Sequence, residues 1–222
     1  MDGSTEKAVE EVFGIGTEEL EKALALNDML SGVANYVRDV NLEPEIAALY
    51  EPGMVIRDKA FVDATKRIGG MATTHRFAIF SNHMADLSEF EHGTNWGLCV
   101  AAPESRFKVI DVYEHEGKTQ IALLHLLDDD RWRIFTNAEF KMPGLDVDGT
   151  RACFEARCSQ EPIPELVTKE WLDRGEIIPP RGVRVLEEGA WRMLNDSKMI
   201  SESCGLQVRR FRNVVIGRYR NC

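Results

Sequence analysis

The sequence contains few cysteines and no long apolar run. Five cysteines among 222 residues are too sparse for a disulfide-stabilised scaffold, and they lack the spacing of a zinc site. No uninterrupted apolar stretch reaches the ~18 residues that a transmembrane helix requires, and no basic segment followed by an apolar one marks a secretory signal. These absences predict a cytoplasmic protein in a reducing compartment, with no membrane segment.

Several catalytic motifs are also missing. There is no glycine-rich phosphate loop, no Walker motif and no serine nucleophile elbow. The sequence therefore does not favour the common nucleotide-dependent enzymes or serine hydrolases. No internal repeat or low-complexity tract is present. With 44% hydrophobic and 29% charged residues, the composition is that of an ordinary globular protein.

The first 70 residues have the apolar spacing of helices. Thr17 is a suitable N-cap, followed by acidic residues in the first turn, where the helix dipole favours them. Apolar residues then recur at steps of three and four as far as Val40, which predicts one long helix. Shorter helices are predicted over residues 45–49 and 58–68, ended by Pro52-Gly53 and Gly69-Gly70.

From residue 71 onward the sequence favours strands. Runs rich in β-formers cover residues 74–80, 96–100, 107–113 and 120–126, and a glycine-containing turn at Gly117 predicts a hairpin between the last two. Further strands are predicted over residues 153–158, 183–186 and 206–219, with helices around Trp171 and over residues 188–195. The predicted fold is one α+β domain over residues 1–222, with a helical region 1–70 packed against a mostly antiparallel sheet in a sheet-rich region 71–222.

The densest group of reactive side chains lies between residues 75 and 92. If residues 83–92 are helical, His83 and Asp86 are one turn apart, and so are Glu89 and His92. Imidazoles and carboxylates of this kind bind Zn²⁺ or non-haem iron with a position left for water. One hypothesis is therefore a hydrolase-type metal-dependent enzyme with catalytic His83, Asp86, Glu89 and His92, and metal ligands His75, His83 and His92. The alternatives are solvated helix pairs and an acid/base pair without metal.

Two other polar features have simpler interpretations. His125 lies in an apolar run and is expected to be a hydrogen-bonded core or edge histidine. Asp128-Asp129-Asp130 lacks the ligand pattern of a calcium loop, so it is expected to end a strand and cap a short helical piece that contains Trp132 and Phe135. Cys99, among apolar neighbours, is expected to be a buried small hydrophobe.

Charge is distributed unevenly along the chain. Residues 203–222 carry five arginines and no acidic residue, whereas residues 1–202 carry 22 basic and 37 acidic residues, a net charge of −15. Arginines interleaved with aromatics bind phosphates and stack on bases, which gives the alternative of a nucleic-acid-associated protein. The simpler explanation is pairing with the acidic body of the chain. The residues concerned are Arg209, Arg210, Phe211, Arg212, Arg218, Tyr219 and Arg220.

The acidic body supports the leading functional hypothesis. A strongly acidic surface steers a basic partner electrostatically. The chain is therefore interpreted as a cytoplasmic binding or regulatory protein that recognises a basic protein partner, similar in physical character to acidic inhibitor or immunity proteins. On this interpretation nucleic acid is not the partner, and no cofactor is required unless the histidine group holds a divalent metal.

Overall fold

The computed structural model describes residues 16–136, 145–174, 183–186 and 190–193. Four helices and ten strands lie in these ranges. The helices are α1 (Thr17–Leu30), α2 (Pro44–Ala47), α3 (Val147–Cys158) and α4 (Lys169–Arg174). The strands are β1 (Ala34–Val40), β2 (Val55–Arg57), β3 (Val62–Thr65), β4 (His75–Ser81), β5 (Ala85–Asp86), β6 (Leu98–Ala101), β7 (Arg106–His115), β8 (Lys118–His125), β9 (Val183–Leu186) and β10 (Ala190–Met193). Short 3₁₀ turns cover Ser88–Phe90, Asp130–Phe135 and Pro164–Leu166.

The N-cap of helix α1 lies one residue before the predicted cap, Thr17. Gly16 takes the N-cap position, and its N–H donates to the Glu19 carboxylate at 2.9 Å. The helix ends at Leu30, because Gly32 adopts a φ of 73°, a left-handed conformation that glycine takes without strain. Ala25 and Met29, four residues apart, form its buried face.

The long N-terminal helix predicted as far as Val40 is wrong in its second half. Residues 34–40 form β1, a strand between β3 and β4 whose Val37 and Val40 are buried. Their spacing of three also fits a helix, so periodicity alone did not separate the two structures. The helix predicted over residues 58–68 is likewise wrong, since Val62–Thr65 form the fully buried β3. Helix α2, at Pro44–Ala47, confirms the short helix predicted over residues 45–49.

Eight strands form one sheet in the order β2-β7-β8-β4-β1-β3-β6-β5. Every pairing is antiparallel except that of β4 with β8, which is parallel. Strands β9 and β10 pair separately as an antiparallel ribbon. The α+β class with a mostly antiparallel sheet is therefore confirmed, although strands also occupy the region predicted to be helical.

The β7–β8 hairpin confirms the strongest local prediction. Glu116 and Gly117 form a two-residue loop with φ values of 50° and 73°, and His115 pairs with Lys118. Positive φ at both loop positions is the type I′ geometry that matches the twist of two strands. This hairpin places β8 beside β4 at the centre of the sheet.

The sheet is buried on both faces at β4, where every residue from His75 to Ser81 is buried. On one face, alternate residues of β4 and β8 join a core cluster that includes Phe77, Ile79, Ile121 and Leu123. On the other face, Phe80, Ala122 and Leu124 pack with Met29 of α1 and with Trp132 and Phe135 of a 3₁₀ turn.

Two predictions in the second half of the chain are wrong. Residues 153–158 belong to the amphipathic α3, with Phe154 and Cys158 buried, and residues 190–193 form β10 rather than a helix. The 3₁₀ turn capped by Asp129, the helix around Trp171 and the strand at 183–186 are confirmed. The strand predicted over residues 206–219 lies outside the described residues. None of the described helices is long and apolar enough to cross a membrane.

Candidate functional site

The parallel pairing of β4 with β8 brings the carboxyl ends of both strands to the same place. Ser81 ends β4 and His125 ends β8. His83 and Asp128 follow two and three residues later, in the loops that leave these strands. Polar side chains separated by more than forty residues in sequence therefore meet at the end of an apolar sheet face.

His125 is held in a buried, largely apolar environment. The residue is only 2% exposed. Its ring stacks on the ring of Phe107, with centroids 4.7 Å apart, and on the ring of His83, with centroids 3.8 Å apart. Its Nδ1 lies 2.8 Å from Ser81 Oγ, whereas Nε2 is buried without a hydrogen-bond partner among the described residues. Burial, with the neighbouring His83 charge, lowers the pKa of His125 to about 3.

His83 covers His125 on the solvent side. Its Nδ1 lies 2.8 Å from Asn82 Oδ1, and its backbone N–H donates to Ser81 Oγ at 3.2 Å. Partial burial lowers the pKa of His83, against the opposing effects of the Asp128 charge and a hydrogen bond to the Leu126 carbonyl. His83 and Asp128 are both exposed, so solvent reaches this side of the group.

His83, His125 and Asp128 each offer a ligand atom, and these three atoms lie within 4.8 Å of one another. In a tetrahedral zinc site with bonds of 2.0–2.1 Å, neighbouring ligand atoms are about 3.3 Å apart. The separations in the metal-free group are at most 4.8 Å, and the two exposed side chains, His83 and Asp128, are the ones that can adjust to this spacing. Two imidazoles and one carboxylate are a donor set suited to zinc and other transition metals.

The predicted helix over residues 83–92 is absent. The helical spacing that placed His83, Asp86, Glu89 and His92 near one another therefore does not apply. Asp86 lies in β5, Glu89 in a 3₁₀ turn and His92 in the following loop, all three exposed. Asp86 accepts from Lys66 Nζ at 2.6 Å and from Ser88, bonds that lower its pKa to about 2. The catalytic roles assigned to Asp86, Glu89 and His92 stay predictions.

His75 lies at the opposite end of β4 from His83. It begins the strand that Ser81 ends, a distance of about 20 Å at the usual strand rise. Its Nδ1 lies 2.7 Å from Thr74 Oγ1, and burial lowers its pKa. Among the described residues, neither His75 nor His92 belongs to a group of three metal-ligating side chains.

Of the four residues at this site, the sequence predicts His83 as a candidate catalytic and metal-ligating residue and His125 as a buried histidine, and it assigns neither Ser81 nor Asp128 to a site. His125 is the hydrogen-bonded buried histidine that was expected. Ser81 carries no sequence signal of its own, and Asp128 is predicted as part of a turn. The available signal was a polar residue directly after each of two apolar strands, but its meaning depends on which strands are parallel neighbours. The C-terminal group Arg209, Arg210, Phe211, Arg212, Arg218, Tyr219 and Arg220 lies outside the described residues.

No protein-family profile and no curated protein matches the chain. Solved structures with partial similarity include the type III effector XopAI of Xanthomonas axonopodis, at 16% identity and a TM-score of 0.40 over 44% of this chain and 43% of that one. The ADP-ribosyltransferase HopU1 of Pseudomonas syringae matches at 18% identity and a TM-score of 0.39, over 42% and 46% of the chains. Exoenzyme S of Pseudomonas aeruginosa, solved with human 14-3-3 protein beta and carba-NAD, matches at 16% identity and a TM-score of 0.37. The match covers 53% of this chain and 64% of that one. This chain thus spans less than two thirds of each of these proteins.

These comparisons contradict the hypothesis of a binding or regulatory protein, because several of the similar structures are those of enzymes named as ADP-ribosyltransferases. Nor do they support the nucleic-acid alternative. With identities under 25% and TM-scores under 0.5, they transfer no substrate, cofactor or residue role to this chain.

Proposed function

We propose that this chain is an enzyme built around a divalent transition-metal ion held by His83, His125 and Asp128. The observation that carries the proposal is the unpartnered, buried Nε2 of His125, which lies beside two other metal-ligating side chains. A buried polar atom without a partner costs about 1–3 kcal/mol, and an ion at this position would satisfy it.

The donor set favours a transition metal over calcium or magnesium. Imidazole nitrogen suits zinc, copper, iron and nickel, whereas calcium and magnesium prefer oxygen ligands throughout. The two histidines also have neighbours of the kind that orient metal ligands, since Ser81 contacts Nδ1 of His125 and Asn82 contacts Nδ1 of His83.

An open coordination position favours catalysis over a structural role. Structural zinc sites use four protein ligands, whereas catalytic sites use three and keep one position for water or substrate. His83, His125 and Asp128 supply three, and the exposure of His83 and Asp128 leaves the fourth position accessible to solvent. A water bound there loses its proton near neutral pH when the ion is zinc.

Cobalt(II) titration of the purified chain tests the metal site, because Co²⁺ replaces zinc and absorbs visible light. We expect one Co²⁺ per chain, with a spectrum typical of four-coordination. His83→Ala removes an exposed ligand and is expected to weaken binding by more than the roughly 10–100-fold that loss of an outer-shell partner costs. The matched control is His92→Ala, which removes an exposed histidine outside the group and should leave binding unchanged. Absence of binding to the wild type, or equal weakening in both variants, would overturn the proposal.

Azide tests the open position in the same sample. An anion that displaces bound water should shift the absorption of the Co²⁺ form of the wild type. An unchanged spectrum at saturating azide would indicate a closed, structural site and would contradict the enzymatic part of the proposal.

A further inference from the structure

Asn82 connects the metal group to the end of α1. Its Nδ2 donates to the Asp28 carbonyl at 2.6 Å and to the Ser31 carbonyl at 2.9 Å. These carbonyls belong to the last turn of α1 and its C-cap, where backbone oxygens lack partners within the helix. The opposite side of the same amide, Oδ1, lies 2.8 Å from Nδ1 of His83.

This arrangement determines which atom of the amide faces His83. The two carbonyl oxygens only accept hydrogen bonds, so both protons of the Asn82 amide are directed to α1. The oxygen Oδ1 is then the atom that faces the imidazole, and it also only accepts. A hydrogen bond between them requires the proton of the neutral ring to be on Nδ1 of His83. The Leu126 carbonyl is a second acceptor beside the ring, and with the single proton held on Nδ1 by Asn82, the other ring nitrogen, Nε2, carries the lone pair that a metal ion needs.

The same end of α1 is tied to the loop that carries the third ligand. Arg131 donates to the Asp28 carboxylate at 2.6 Å and to the Asp129 carboxylate at 2.7 Å. Asp129 directly follows Asp128. Through Asn82 and Arg131, both ligand-bearing loops are therefore attached to one turn of α1.

We propose that Asn82 is a positioning residue that holds His83 in its Nδ1-protonated form, with Nε2 presented to the ion. This inference rests on the proposed metal centre for its functional meaning, but the effect of Asn82 on the ring is present without metal. Second-shell partners of this kind change metal affinity by about 10–100-fold when they are removed.

Long-range ¹H–¹⁵N NMR of the metal-free chain at pH 8 reads the protonated nitrogen of His83 directly. We expect the Nδ1–H form in the wild type and a shift toward the Nε2–H form in Asn82→Ala. Asn82→Leu keeps a side chain of similar size but offers the ring no acceptor, so the same shift is expected. Retention of the Nδ1–H form in N82A or in N82L would overturn the proposal. A merely structural role of Asn82 would not select one ring nitrogen.

Co²⁺ titration then measures the consequence for the site. N82A is expected to bind about 10–100-fold more weakly than the wild type, with an unchanged spectral shape because the ligands are the same. Asn27→Ala is the matched control, an exposed asparagine in the same last turn of α1. Equal affinity in N82A and N27A would overturn the positioning role. A wild type that binds no Co²⁺ but shows the expected NMR pattern would refute the metal centre and leave the effect of Asn82 on the ring standing.

Discussion

Ser81 and His125 meet across the parallel pair β4 and β8, with Oγ of the serine 2.8 Å from Nδ1 of the histidine. Both residues are nearly inaccessible to solvent, at 1% and 2% exposed. The backbone N–H of His83 donates to the same hydroxyl. One buried serine thus contacts both histidines of the candidate site.

Ser81→Ala should therefore destabilise the metal-free protein. The substitution leaves Nδ1 of His125 buried without a partner, so the free energy of unfolding is expected to fall by about 1–3 kcal/mol. Urea denaturation followed by circular dichroism measures it. Ser88→Ala is the control, because the Ser88 hydroxyl bonds to Asp86 in an exposed site and its loss should matter much less. Equal losses in the two variants would contradict the importance of the buried contact.

The buried ion pair of Arg76 and Asp39 should matter far more than an exposed pair. Arg76 is 2% exposed and donates to both carboxylate oxygens of Asp39, at 2.6 and 2.8 Å. Asp39→Ala leaves the buried Arg76 charge without its carboxylate partner. The substitution is expected to lower the free energy of unfolding by about 3–5 kcal/mol. Glu18→Ala, which breaks the exposed pair with Lys22, should cost far less, because solvent screens the attraction. Thermal and urea denaturation compare the two, and similar costs would disprove the difference.

Asp58 should make stability depend on pH in the acid range. Burial raises the pKa of its carboxyl above the ordinary 3.8, against the opposing effects of the Ala60 N–H bond and the Arg38 charge. A raised folded-state pKa means that the protonated form is favoured on folding. The stabilisation that protonated Asp58 contributes is complete at a pH below the ordinary pKa of the unfolded chain. It is lost as the pH rises through the raised pKa of the folded protein.

Asp58→Asn removes this titration while keeping an oxygen for the Ala60 N–H. The stability of the variant relative to the wild type should therefore increase as the pH rises above about 4, and then become constant. Urea denaturation at a series of pH values measures the difference. A difference that does not change with pH would show that the carboxyl titrates normally in the folded protein.

The cysteines should differ strongly in reactivity. Cys99 is 1% exposed, and burial, with the nearby Asp86 charge, raises its pKa to about 11. Cys153 is only partly buried, in the wall of a cavity beside α3. Alkylation at pH 8 followed by peptide mass spectrometry should modify Cys153 in the native protein and Cys99 only after unfolding. Modification of both at the same rate would show that the core around Cys99 opens readily.

Local sequence patterns predicted many of the elements, and their failures have a common cause. The β7–β8 hairpin follows from a glycine turn between two strand-forming runs, and the start of α1 follows from acidic residues after a small cap. Strand β1 was missed because Val37 and Val40 satisfy a helical spacing as well as a strand. Burial on both faces between β3 and β4, which no local pattern records, favours the extended form there.

The sequence by itself determined the α+β class, the central hairpin and the burial of His125 and Cys99, because these depend on residues close together in the chain. Only the tertiary structure decided that His83, His125 and Asp128 share one site. Their meeting depends on β8 lying parallel to β4, which joins segments more than forty residues apart. The extended conformation of β4 separates His83 from His75, because a strand holds its two ends as far apart as its length allows.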